Sequence, residues 1–87
     1  MDINTLWNEV LNNCGKTFYT KTRLPFTYER VDSLKVRVNR QGSYVGYINK
    51  KDLEFILNNP NEDRYVYRDN MRTSSYALAL YDEFMNR

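Results

Sequence analysis

The apolar residues of this chain change period twice, and that switch does most to restrict the fold. Ile3, Leu6, Trp7, Val10, Leu11 and Cys14 recur at helical spacing and form a single stripe. Leu34, Val36 and Val38 then alternate with Lys35 and Arg37, which is the period of a half-covered strand. From Leu53 onward the helical spacing returns. A helix, then strands, then helices within 87 residues predicts one α+β domain spanning residues 1–87. A chain of this size buries roughly two-thirds of the surface it exposes when unfolded, which allows one core and no deep second site.

The punctuation residues divide the chain further. Asp2 is placed to cap the first helix and Gly15 to end it. Strands are predicted over residues 17–20, 26–31, 34–38 and 44–48. Turns fall at 21–25, at Asp32-Ser33 and at Gln41-Gly42-Ser43, with Gly46 weakening the last strand. Asn49 caps a second helix whose Asp52 reaches back to free backbone N–H groups, while Ile48 and Leu53 staple its start. That helix ends near Asn58, before Pro60. Residues 61–71 read as a polar connector with room for a short strand, and a last helix starts at Thr73 or Ser74 with Tyr76, Ala77, Leu80, Tyr81 and Phe84 on its apolar face. The expected architecture is an antiparallel sheet of three or four strands against three helices, in the order α-β-β-β-(β)-α-α. Helices cover one face, and the face bearing Lys35 and Arg37 stays open.

Composition excludes several classes. Eight Tyr, four Phe and one Trp argue for a packed domain, because disordered chains lack such rings. The chain has no His and one Cys, Cys14, so an internal disulfide and a Cys/His zinc site are not expected. Cys14 reads as a small buried hydrophobe. The commonest general base is missing as well. The acids come as neighbours, Glu62-Asp63 and Asp82-Glu83, which do not converge on a helix surface, and Ser74 and Ser75 have no His partner. An enzyme is therefore not expected, nor is a cofactor. No apolar run approaches the roughly 20 residues of a membrane span, and Met1-Asp2-Ile3-Asn4 lacks the layout of a signal peptide. The expectation is a protein of the reducing cytoplasm with no membrane partner.

Charge is the strongest functional clue. Residues 16–51 hold nine basic residues and only two acids, a local +7 within a chain of net +2. Such a block attracts phosphate or an acidic surface once its side chains share one face. The candidate nucleic-acid-binding residues are Lys21, Arg23, Lys35, Arg37, Arg40, Lys50, Lys51 and Arg72 for phosphates, with Tyr44 and Tyr47 to stack or hydrogen-bond. Ser74 and Ser75 join them as hydroxyls at the positive end of the last helix. The plainer reading is a solvated sheet face kept charged against edge-to-edge association. Scarcity of acids favours binding, because a merely solubilising surface mixes signs.

Three strings together resemble a small bacterial and phage module. They are Phe18-x-Thr20 leading to Pro25-Phe26-Thr27-Tyr28, then Ile48-x-Lys50-x-Asp52-Leu53-Glu54, then Arg72-x-x-Ser75-Tyr76. They span residues 16–82, although this chain has Thr73-Ser74 where the module carries Gly-Pro. The resemblance implies a prokaryotic or phage setting and no particular activity. The expected function is non-catalytic nucleic-acid binding, DNA ahead of RNA. The alternative is a protein-binding inhibitor or adaptor, such as a phage factor acting on a host defence or transcription complex. It would meet an acidic partner with its basic face and use Trp7 or surface tyrosines as anchors. A homodimer is compatible with either.

Overall fold

In the computed structural model, which describes residues 1–86, the chain forms four helices and one four-stranded sheet among those residues. The order is α1 (Ile3–Asn12), β1 (Phe18–Tyr19), β2 (Pro25–Arg30), β3 (Lys35–Arg40), β4 (Ser43–Asn49), α2 (Lys50–Asn58), α3 (Arg64–Asn70) and α4 (Ser74–Met85). The α+β class and the antiparallel sheet are as expected. The additional helix is α3, which occupies the predicted connector. Its one buried residue is Tyr67, so seven residues with a single inward ring left no periodicity to read.

The sheet is a meander in which every neighbour is antiparallel, in the order β1-β2-β3-β4. Its tight ends follow from local chemistry. Asp32 Oδ1 accepts from the backbone N–H groups of Leu34 (2.8 Å) and Lys35 (3.0 Å), holding the β2–β3 loop. Gln41 and Gly42 both take positive φ (53° and 79°), the conformation that matches a two-residue hairpin turn to strand twist. Pro25 opens β2 opposite Tyr19 rather than closing a turn, a position where its missing N–H is tolerated. Leu34 corrects the strand reading: β3 starts one residue later, and Leu34 sits in the loop, 60% exposed, instead of on the core face.

Helices pack on one face only. Phe18, Phe26, Tyr28, Val36, Val38 and Ile48 point from the sheet into a core with Leu6, Trp7, Val10, Leu53, Ile56, Ala77, Leu80 and Phe84. Tyr28 is fully buried, and its hydroxyl donates to the Val10 carbonyl at 2.7 Å, which joins α1 to β2. Trp7 is core as well, not a surface anchor: its indole N–H donates to the Ser33 carbonyl at 2.8 Å. Asp2 caps α1 by accepting from the Thr5 N–H at 2.8 Å, and that bond holds its carboxyl below the usual range. Asp52 accepts from the Asn49 N–H at 2.9 Å, as its position in α2 predicts. Cys14 is half-buried against the core, and desolvation raises its thiol pKa despite the opposing pull of Arg30.

Candidate nucleic-acid interface

Strand alternation sends the residues between the core positions to the uncovered face. On β3 these are Lys35, Arg37 and Asn39, and their partners are Asn49, Tyr47 and Tyr44 on β4. Tyr44 and Tyr47 are three residues apart, a spacing that places side chains on opposite faces of a regular strand. A register shift at Val38/Asn39 leaves Val45 as an extra residue on β4, and this bulge turns both rings to the same side. Gly46 sits inside the bulge with φ +152°.

The result is a compact arrangement of rings and cations. Lys35 Nζ lies 5.0 Å from the Tyr47 centroid, and Arg37 Cζ lies 4.9 Å from the Tyr44 centroid. The two rings are 5.4 Å apart and inclined at 58°. Both remain open to solvent, Tyr44 at 51% and Tyr47 at 41% exposure. Each cation covers part of one ring; Arg37 is exposed and Lys35 half-buried. Glu29, across from Arg37 on β2, places a negative charge on the far side of this cluster. The positive charge of the open face is thereby concentrated over β3 and β4.

Arg72 reaches the same region from the α3–α4 link. A groove of about 450 Å³ runs beside β4, with Tyr44, Tyr47, Asn49, Asp52, Asn70 and Arg72 in its wall. Thr73 fixes that wall by donating its hydroxyl to the Tyr47 carbonyl at 2.7 Å. A Cβ on Gly46 would lie 2.7 Å from the Thr73 methyl, so glycine is what lets α4 start this close to the sheet.

The other candidates lie elsewhere. Lys21 and Arg23 occupy the β1–β2 turn, at the opposite end of the sheet from Lys35 and Asn49. Lys21 lines a cavity of about 820 Å³ together with Ser75, Tyr81 and the acids Glu62, Asp82 and Glu83. There the three acids outnumber the two bases, Lys21 and Arg64, which makes the cavity a poor seat for phosphate. Arg40 ends β3 opposite Ser43, where alternation directs it to the helix side. Lys50 turns to the helix layer and donates to Asn4 Oδ1 at 2.7 Å, while Lys51 is exposed in the first turn of α2. Ser74 is buried at 8% exposure beneath the start of α4, which removes it from an open anion seat. The cluster thus unites Lys35, Arg37, Tyr44, Tyr47 and Arg72 and leaves the remaining candidates apart. Asn39 and Asn49 join it as polar groups that the charge pattern did not mark.

The chain matches no family model, no curated protein and no solved structure. No described helix is long and apolar enough to cross a membrane.

Proposed function

We propose that the protein is a non-catalytic nucleic-acid-binding module that receives its ligand on the open face of the sheet. The observation that carries this reading is the pairing of Lys35 with Tyr47 and Arg37 with Tyr44 on one uncovered surface. Cations position phosphates, and exposed rings offer stacking surfaces that accept any base. The same Tyr and Arg composition also suits a protein interface, in keeping with an adaptor or inhibitor role.

Anisotropy titration of labelled DNA and RNA, at low and physiological salt, tests the reading. Arg37→Glu is expected to weaken binding at least tenfold without loss of the fold, since it reverses a charge next to Tyr44. Binding that is absent for every nucleic acid, or unchanged in that variant, would overturn the reading. A stoichiometric protein retained from nuclease-treated lysate would then favour the adaptor.

A further inference from the structure

We infer that the ligand of this face is a single strand, with bases splayed across Tyr44 and Tyr47 and the backbone leaving the sheet through the groove at Arg72. This rests on the nucleic-acid reading above and adds the form of the ligand and its path. Two features of the ring pair carry it. Stacked bases along one strand of B-DNA are spaced about 3.4 Å apart. The Tyr44 and Tyr47 centroids are 5.4 Å apart. Bases in a duplex are also close to parallel, whereas these rings incline at 58°. A ligand that uses both rings has to separate and tilt neighbouring bases. A free strand does this readily, and a duplex resists it because pairing and stacking hold its bases together.

The distribution of charge agrees. Seven basic side chains converging on one surface would suit a duplex and give a log–log salt slope of about −6. Among the described residues, the basic side chains placed at the rings and the groove beside them are Lys35, Arg37 and Arg72. Three engaged phosphates on a single strand give a slope of about −2. Stacking then has to supply much of the affinity, which fits two rings kept exposed on an otherwise polar face.

The groove beside β4 gives the strand an exit and a polar contact. The Tyr47 carbonyl accepts from Thr73, so it points away from β3. In an antiparallel strand the N–H of a residue lies on the same side as its carbonyl, so the Tyr47 N–H also faces the groove. It offers a donor to a base edge or sugar, with Asn70 and Asn49 nearby and Arg72 available for phosphate, while Asp52, also in the wall, has its carboxylate engaged by the Asn49 N–H.

The test compares a 12-nucleotide oligo(dT), the corresponding oligo(rU) and a 12-base-pair DNA duplex by anisotropy across a salt series. Wild type is set beside Tyr44→Ala, Tyr47→Ala, both Phe replacements and Arg72→Ala, with circular dichroism to confirm the fold. One or both single strands are expected to bind at least tenfold more tightly than duplex at physiological salt, with a slope of about −2. Each Ala replacement is expected to weaken single-strand binding roughly five- to 100-fold, while the Phe replacements, which keep the ring, stay close to wild type. Arg72→Ala should make the slope shallower by about 0.7. Preference between DNA and RNA strands would show whether the groove reads the 2′-hydroxyl. Duplex binding as tight as single-strand binding, with a slope near −6, would overturn this inference and leave nucleic-acid binding standing. Single-strand binding unaffected by either Ala replacement would remove the ring platform. No binding to any of the three would overturn both.

Discussion

Tyr28 and Tyr47 lie two strands apart in one sheet, and their surroundings could hardly differ more. Tyr28 is fully buried, stacks with Phe18 and gives its hydroxyl to α1. Tyr47 is exposed, with Lys35 over its ring. The side-chain chemistry is the same; the face differs. Where helices cover the sheet, a ring contributes area to the core and its hydroxyl needs a buried acceptor. On the uncovered face the ring contributes nothing comparable to stability and is available to a ligand. An exposed aromatic pair flanked by cations is therefore more informative about function than the larger aromatic cluster inside.

The contrast is broken most severely from the core. Phe26→Ala removes a ring packed against Phe18 and Tyr76 and is expected to cost about 3–5 kcal/mol in urea denaturation. A loss below about 1 kcal/mol would show that the covered face is not the core described here. Gly46→Ala comes next, at about 2–4 kcal/mol, because it combines an unfavourable φ with overlap on the Thr73 methyl. Adding Thr73→Ser should recover part of this loss and leave the φ strain, and thermal melts of the four proteins would separate the two. On the open face the pattern reverses. Tyr47→Ala should move folding stability by no more than about 0.5 kcal/mol while weakening ligand binding. A large fall in its melting temperature would mean that the ring serves the fold. The smallest effect is expected from Glu29→Gln, which removes the negative charge opposite Arg37 and should tighten nucleic-acid binding about twofold at low salt. Weaker binding in that variant would place the ligand elsewhere.

The sequence showed α1, α2, α4 and the covered face well because their signals are periodic, whereas α3, with one inward ring, had no such signal. The stripe from Ile3 to Cys14 and the alternation through Val36 and Val38 need only local geometry to be read. Capping by Asp2 and Asp52 was legible for the same reason. The bounds of β3 were not, because Leu34 continues the alternation while Asp32 holds its N–H in a loop. Of the candidate cluster, Lys35 and Arg37 could be assigned to one face from alternation alone. Pairing them with Tyr44 and Tyr47 required the strand register and the bulge, and Gly46 was the only local hint of either. The start of α4 shows the opposite failure. Hydroxyls before a helix resemble an anion seat, yet Ser74 is buried and Thr73 is bonded to β4. Which backbone those residues meet is decided by tertiary packing that no local pattern encodes.

The margins of the sheet carry one more consequence. A row of unpaired strand groups is a template on which other chains can grow into fibres. Here one margin, β1, is two residues long. The other is interrupted by the bulge at Val45 and occupied at Tyr47 by the Thr73 hydroxyl. Neither offers a long flat run to copy. The two tyrosines, each with a cation over its ring, are thus displayed on a sheet whose margins make poor templates for strand addition.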